Sequence, residues 1–246
     1  MSLICVKDIR KVYRIGSEKV VALNRISLEI EQGGICCVLG TSGSGKSTLL
    51  NILAGLEKPS KGSVVIGGTD VTDYTEKQWA LFRQKNIGFV FQSYNLMPSL
   101  TAVENVALPL VFRGVKEEKR IKSAVHMLRA VNLGDRLQHR PSQMSGGQQQ
   151  RVGIARAFVS RPKIVFADEP TGNLDSKTSR EVMELMVSMA KKHDETLIIV
   201  THDAEIAKYA DRIITIHDGN VKSDEPNQSI AGSTENREEK HDEQEN

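Results

Sequence analysis

Short apolar runs separated by polar residues fill the first part of the chain. Polar turns separate the apolar runs at residues 3–6, 20–23 and 26–30. This pattern is typical of strands with one buried face. Residues 62–68 resemble a further strand of the same kind. The pattern predicts an antiparallel β layer.

The period of the pattern changes after an apolar strand-like run at residues 87–91. From about residue 93 to 160 the chain is mostly helical in character, and apolar residues recur at i, i+3, i+4 and i+7 around residues 121–128. A second helix is expected at residues 147–159, ended by Pro162.

Buried strands then return and alternate with helices. Residues 164–167, 196–201 and 212–217 are short apolar runs, and an amphipathic pattern at 182–189 separates the first two. Such alternation predicts a mostly parallel sheet wrapped by helices. We therefore expect an α/β fold whose parallel core carries the antiparallel layer and an inserted helical subdomain at about 93–160.

Composition favours a single folded unit. Of 246 residues, 39% are hydrophobic, which is ample for one core. Residues 224–246 hold eight acids and two bases, so we expect a domain at 1–223 and a disordered acidic tail at 224–246. The excess of bases in residues 1–223 suits nucleic acid, an anionic membrane surface or solvated helices. We favour solvated helices and no nucleic-acid partner, because no basic run is interleaved with aromatics.

The compartment is expected to be the cytoplasm. No apolar run approaches the ~18–20 residues that span a bilayer, and the N-terminus lacks the pattern of a signal peptide. Cys5, Cys36 and Cys37 show no metal or redox spacing, which is typical of small buried side chains in a reducing compartment.

A glycine-rich motif of the form G-x-x-x-x-G-K-[ST] carries the strongest chemical signal. It lies between an apolar run at 35–39 and a helical pattern at 47–54, the context that a phosphate-binding loop requires. Its lysine suits the outer phosphates and its serine suits Mg²⁺. Alone it does not separate kinases, GTPases, helicases and transport ATPases. Its residues are Gly40, Thr41, Ser42, Gly43, Ser44, Gly45, Lys46, Ser47 and Thr48.

Two carboxylates end the apolar run at 164–167. Ligand sites in such sheets lie at the carboxyl ends of strands, which places Asp168 and Glu169 beside the phosphate loop. Asp168 is expected in the Mg²⁺ shell. Glu169 points elsewhere and is expected to polarise a water as general base.

A second candidate anion site opens the helix at 147–159. Ser145, Gly146, Gly147 and Gln148 form a serine-led, glycine-rich helix start. One nucleotide in one chain does not need two such sites, but two subunits in a two-fold arrangement could share each nucleotide. Alone, a capped helix start explains the motif equally well.

Together these motifs resemble the ATP-binding-cassette (ABC) ATPases, which share the phosphate-loop NTPase fold. The phosphate loop, the S-G-G-Q sequence at 145–148, the Asp168–Glu169 strand end and His202 occur in that family's order over residues 1 to about 222. Within the family the chain is similar to the macrolide-export and lipoprotein-release group, through residues 89–96, 100–106 and 168–175.

The resemblance implies further roles. Gln92 matches the glutamine that contacts Mg²⁺ and senses the membrane partner, and Tyr13 matches the aromatic that stacks on adenine. Asp175 matches the aspartate that reaches across a dimer, and His202 matches the histidine that contacts the γ-phosphate. The implied Mg²⁺ ligands are then Ser47, Gln92 and Asp168. On residue type alone, each of these side chains has an ordinary structural explanation.

The expected protein is therefore the ATPase subunit of a transporter, with ATP and Mg²⁺ as ligands. Its implied partners are a second copy in a head-to-tail dimer and a separate membrane permease at the inner face of the membrane. The helical insertion, with residues 96–100, is expected to form the groove that receives a cytoplasmic helix of that permease; the alternative is that these residues pack internally. An extracytoplasmic adaptor could act through the permease. Cargo such as a macrolide, an antimicrobial peptide or a lipoprotein is implied only by resemblance. Two alternatives remain, a regulatory ABC ATPase that controls a cell-wall hydrolase and a soluble ABC protein of translation or DNA repair.

Overall fold

The computed structural model describes residues 2–227. Its strands are β1 (Ser2–Ile15), β2 (Glu18–Glu31), β3 (Ile35–Leu39), β4 (Lys61–Ile66), β5 (Thr69–Asp70), β6 (Ile87–Phe91), β7 (Ile164–Asp168), β8 (Thr196–Thr201), β9 (Arg212–His217) and β10 (Asn220–Pro226). Its helices are α1 (Lys46–Leu53), α2 (Glu76–Asn86), α3 (Ala102–Phe112), α4 (Glu117–Ala130), α5 (Gly146–Phe158), α6 (Ser176–Lys192) and α7 (Ala204–Ala207), with a short 3₁₀ turn at Pro141–Gln143.

The expected antiparallel layer is confirmed as a four-stranded sheet in the order β2-β1-β4-β5. The three short N-terminal runs are parts of only two long strands. Register shifts interrupt the β1–β2 pairing where separate strands were expected. Asp8 and Arg25 have left-handed backbones with φ of 50° and 54°, so the polar breaks at these two residues are bulges inside strands instead of turns between strands.

A six-stranded sheet in the order β10-β9-β3-β8-β7-β6 forms the centre of the molecule. All its pairs are parallel except β10–β9. One core fills the space between this sheet and helices α3–α6. A second core lies between the sheet, α1 and the antiparallel layer. Because both faces are covered, the central strands read as continuous apolar runs, and the expected strands at 87–91, 164–167, 196–201 and 212–217 are confirmed.

The helical segment between β6 and β7 contains α3, α4 and α5, as its pattern predicted. Capping boxes start two of these helices: Thr101 with Glu104 at α3, and Ser145 with Gln148 at α5. Buried Asn105 accepts a hydrogen bond from the Met97 amide at 2.7 Å and donates to the carbonyls of Met97, Leu100 and Thr101. The turn that precedes α3 is therefore fixed from within.

Helix α2 was not predicted. Only Trp79 of its eleven residues is buried, so it has almost no apolar period to detect. Trp79 instead packs edge-on against Tyr74 and Phe82 and lies over Gly55. A Cβ on Gly55 would come within 2.0 Å of the indole, and the backbone there has φ of 65°.

The expected domain end at residue 223 is wrong by a few residues. Strand β10 continues through Pro226. Asp224, counted with the acidic tail, forms two 2.6 Å hydrogen bonds with the Arg212 guanidinium, and the Asn227 amide donates to the Asp211 carbonyl at 2.9 Å. In the sequence, an acid that pairs with an arginine cannot be distinguished from an acid of a charged tail, so Asp224 was assigned to the tail. The remaining tail, 228–246, lies outside the described residues.

The thiols of Cys36 and Cys37 are buried in β3. Burial raises the pKa of each to about 12, so both thiols stay neutral. Cys5, which was expected to be buried as well, is only half-buried. Within residues 2–227, no helix combines the length and the apolar character needed to cross a membrane.

Candidate functional site

A polar cleft of about 620 Å³ opens at the carboxyl ends of the central strands. Parallel pairing places Leu39 of β3 beside Thr201 of β8, and Asp168 of β7 beside Val200. The segments that leave these strands therefore meet at one edge of the sheet. The cleft is lined by Ala22, Thr41, Ser42, Gly43, Gly45, Lys46, Ser47, Thr48, Gln92, Glu169 and His202.

The loop between β3 and α1 curls around this cleft because of its glycines. Gly45 has φ of 102°, and a Cβ there would lie 2.5 Å from the Ala22 carbonyl oxygen. A Cβ on Gly40 would lie 2.3 Å from the Ile216 carbonyl oxygen. Helix α1 begins directly after Gly45, and no side chain caps its first turn. Its unpaired amides and the positive end of its dipole therefore remain available to an anion.

Lys46 supplies the positive charge of the loop. Its side chain is almost fully buried, and its ammonium donates to the Thr41 carbonyl at 2.8 Å. The Lys46 ammonium therefore lies across the opening of the loop, and its two other N–H groups remain available to a ligand.

Ser47 and Asp168 bring two oxygen ligands together. The Ser47 hydroxyl and the Asp168 carboxylate are 3.5 Å apart. Burial, and next the Glu169 carboxylate, raise the pKa of Asp168, while Ser47 and Lys46 act in the opposite direction. Gln92 lines the same cleft, and Gly172 makes room for it, since a Cβ there would lie 2.7 Å from the Gln92 amide nitrogen. Oxygen donors of this kind fit Mg²⁺, which binds few protein ligands and keeps waters and phosphates.

Glu169 turns away from Asp168 through a strained backbone. Its φ is 44°, a left-handed conformation uncommon outside glycine, and its amide donates to the Val200 carbonyl at 2.9 Å. One carboxylate oxygen accepts from the Thr201 hydroxyl at 3.1 Å and the other lies 2.8 Å from His202 Nδ1. The carboxylate is thereby fixed at the cleft edge.

The S-G-G-Q segment lies outside the cleft of its own chain. The Ser145 hydroxyl caps α5 by accepting from the Gln148 backbone amide at 3.3 Å, and the Gln148 side-chain oxygen accepts from the Ser145 backbone amide at 3.0 Å. A Cβ on Gly146 would lie 2.7 Å from the Tyr94 hydroxyl, and one on Gly147 would lie 2.6 Å from Thr178. The glycines therefore let neighbouring elements approach the helix tip closely.

Asp175 and Tyr13 also lie outside the cleft lining. Asp175 caps α6, and its carboxylate accepts from the amides of Lys177 and Thr178 at 3.0 Å each. Tyr13 is half-buried on β1, with its hydroxyl on Glu57 at 2.6 Å. Within one chain, the structure thus unites the phosphate loop, Gln92, Asp168, Glu169 and His202, and leaves the remaining candidates apart.

Sequence reasoning missed three residues of this neighbourhood. Thr201 orients Glu169, and its signal was a hydroxyl at the end of a fully buried strand. Tyr94 packs on the α5 tip with φ of 61°, and Ala22 borders the cleft. Neither has a chemical signature in sequence, because each contributes shape alone.

The arrangement suits hydrolysis of a phosphoanhydride. Backbone donors and a lysine face an anion, oxygen ligands suit a hard cation, and a fixed carboxylate lies beside a histidine.

Comparison with known proteins identifies relatives along most of the chain. A family model described as ABC transporter matches residues 23–172. An uncharacterized ABC transporter ATP-binding protein of Thermotoga maritima is 48% identical over 229 residues, which cover 92% of this chain and 97% of that protein.

Two other matches are a longer protein and a solved structure. The macrolide export ATP-binding/permease protein MacB of Syntrophobacter fumaroxidans is 47% identical over 224 residues, 90% of this chain but 31% of that protein. A solved dimeric structure of the ATP-binding cassette MJ0796, in a post-hydrolysis state with ADP and Pi, has a TM-score of 0.85 and 41% identity, covering 92% of this chain and 99% of that chain. The protein of that name is from Methanocaldococcus jannaschii.

Proposed function

Because this chain belongs to the ABC transporter family, as an ATP-binding and ATP-hydrolysing cassette, we propose that it powers export or membrane extraction of a substrate through a separate permease. The observation that carries this proposal is the separation, within one chain, of a complete phosphate cradle from a serine-led helix tip. A second copy is the simplest supplier of the missing half of the site.

Each ligand-binding residue of the cradle has a proposed role. Gly40 to Thr48 surround the phosphates of ATP, and Lys46 faces the outer ones. Ser47, Asp168 and Gln92 would hold Mg²⁺. When bound, that ion would supply positive charge against the phosphates.

Glu169 is the proposed general base. Its side chain is fixed by Thr201 and His202, so the attacking water meets a carboxylate whose direction is already set. His202, whose Nδ1 lies 2.8 Å from that carboxylate, would contact the γ-phosphate. It positions the water, while Glu169 accepts the proton.

The helix tip completes the site from the twin subunit. Ser145, Gly146, Gly147 and Gln148 would approach the γ-phosphate bound by the partner, and Asp175 would lie at the same interface. The γ-phosphate then favours the closed dimer, and its loss reopens the pair.

Replacing Ser145 with arginine should separate binding from closure. We expect Ser145→Arg to bind ATP with near-normal affinity, because its own cradle is intact. ATP-dependent dimers should be lost, since the bulky cation occupies the place of the partner's γ-phosphate. Light scattering with ATP measures this, with Ser123→Arg on exposed α4 as the matched control. Dimers that persist in Ser145→Arg would count against the shared site.

An apolar groove is the proposed permease dock. It has a volume of about 610 Å³ and lies between α2, β6, α3 and α5. Phe112 and Leu81 on its wall are 70% and 52% exposed. Helices α3 and α5 of the expected helical insertion line it, but residues 96–100, which were expected to take part, do not. An apolar cleft of this size suits an amphipathic helix.

The groove proposal is tested with Phe112→Glu. We expect the isolated subunit to retain its ATPase activity, since Phe112 does not line the cradle, and to lose co-purification with a membrane protein from detergent-solubilised host membranes. Ser123→Glu places the same charge on α4 and should keep the partner. Equal recovery of that partner with both variants would contradict the assignment.

The names of the relatives favour transport over a regulatory role. Macrolides, antimicrobial peptides and lipoproteins are the proposed cargo classes, with selection made in the permease. The proposed position is peripheral at the inner membrane face, and an extracytoplasmic adaptor would act through the permease.

A further inference from the structure

Tyr13 is held by a compact polar network outside the cleft lining. Its hydroxyl donates to one Glu57 carboxylate oxygen at 2.6 Å, and Asn51 donates to the other at 3.1 Å. The Lys11 ammonium lies 3.1 Å from the oxygen that Tyr13 uses and also donates to the Lys58 carbonyl at 2.8 Å. The Glu57 carboxylate therefore accepts hydrogen bonds from three side chains, those of Tyr13, Asn51 and Lys11.

The network joins two parts of the molecule that would hold opposite ends of a nucleotide. Tyr13 and Lys11 belong to β1 of the antiparallel layer. Asn51 belongs to α1, the helix that begins at the phosphate loop. Glu57 follows α1, and its amide and that of Leu56 donate to the Asn51 carbonyl. The position of the Tyr13 ring is thus fixed relative to the phosphate loop through Glu57, and the Tyr13 hydroxyl also contacts Thr48 of that loop.

Lys11 also restricts the ring itself. Its ammonium lies 5.1 Å from the centroid of the Tyr13 ring, within the range of a cation–π contact. With one face of the ring occupied by the lysine, a planar base has to stack on the opposite face.

The protonation states agree with this geometry. Burial acts to raise the pKa of Glu57, but hydrogen bonds from Tyr13, Lys11 and Asn51 outweigh it and hold that pKa below its ordinary value. Burial and the bond to Glu57 raise the pKa of Tyr13. At neutral pH a neutral hydroxyl therefore donates to a carboxylate, as the short contact requires.

We propose that Glu57 is a positioning residue for adenine: it fixes the Tyr13 ring relative to the phosphate loop, and Lys11 closes the second face. The inference rests on the proposed role of Tyr13 in base stacking. A ring that is already fixed loses little rotational freedom when the base binds, so removing its anchor should weaken the base contact and leave the phosphate contacts unchanged.

Calorimetric titration with two ligands tests this. Mg²⁺–ATP contains the base, whereas Mg²⁺–tripolyphosphate contains only phosphates. We expect Glu57→Ala to weaken ATP binding about threefold to tenfold and to change tripolyphosphate binding less than about twofold. Tyr13→Phe, which keeps the ring and removes its anchor, should match it. The double variant should be no weaker than the worse single variant. Glu29→Ala, at an exposed position near the other end of the same layer, should bind both ligands as the parent chain does.

The outcomes separate this inference from the function it rests on. If Glu57→Ala weakens both ligands equally, its role is general support of the fold and the inference fails. Additive losses in the double variant would also overturn it. If Tyr13→Ala binds ATP normally, the stacking role of Tyr13 fails, and the inference with it. If Tyr13→Ala weakens ATP while Glu57→Ala does not, only the inference fails.

Discussion

Replacing Glu169 with glutamine is expected to lower ATP turnover by about 10²–10⁴-fold, the usual contribution of a positioned general base. Glutamine keeps the size of the side chain and an oxygen that can accept from Thr201, so the cleft should retain its shape. ATP binding should therefore survive, and with ATP no longer consumed, the dimer should accumulate in its closed form. Phosphate release measures the first effect, and size-exclusion chromatography with ATP measures the second.

The matched control is Glu184→Gln, the same change at an exposed position on α6. It should leave turnover within about twofold of the parent chain, as surface changes generally do. Near-normal turnover in Glu169→Gln would remove the carboxylate from the chemistry and leave the strained backbone at φ of 44° unexplained.

Replacing Lys46 with alanine is expected to weaken ATP binding strongly. Loss of one member of a buried charge pair costs ~2–5 kcal/mol, which corresponds to a roughly 30-fold to several-thousand-fold rise in Kd. Lys46 fits this case because its side chain is almost fully buried and its ammonium lies at the loop mouth. Fluorescence titration with a labelled ATP analogue gives the Kd.

Lys46→Ala also loses the hydrogen bond to the Thr41 carbonyl. Thermal unfolding without nucleotide should accompany the titration to show that the fold is intact. Lys77→Ala removes an exposed lysine from α2 and should change neither quantity. An unchanged Kd for a folded Lys46→Ala protein would mean that the phosphates bind elsewhere.

The buried parallel strands were predictable because their chemistry is uniform. Strands β6 to β9 are covered on both faces, so each is a short apolar run that alternation with helices identifies. Helix α2 was not predictable, because it buries only Trp79 and has almost no apolar pattern. The continuity of β1 and β2 was also hidden, because a bulge at Asp8 or Arg25 has the same polar composition as a turn.

The residues of the candidate site likewise divide into those that the sequence predicted and those that it did not. Lys46, Ser47, Asp168 and Glu169 follow from spacing, since the chain itself brings each to a strand end or a helix start. The contact of Thr201 with Glu169 and that of Tyr94 with Gly146 depend on how separate elements pack, and no local pattern encodes them. The network around Tyr13 joins residues 44 positions apart, which is why sequence suggested the tyrosine but not its anchor.

The central claim is that each ATP lies between the phosphate loop of one subunit and the Ser145 helix tip of its twin. A cryo-EM or crystal structure of the Glu169→Gln dimer with ATP and Mg²⁺ tests it most directly. We expect Lys46 of one protomer and Ser145 of its partner to lie on opposite sides of the same γ-phosphate, each within hydrogen-bonding distance of it. A nucleotide-loaded protein whose Ser145 tips face solvent, far from any phosphate, would contradict the account.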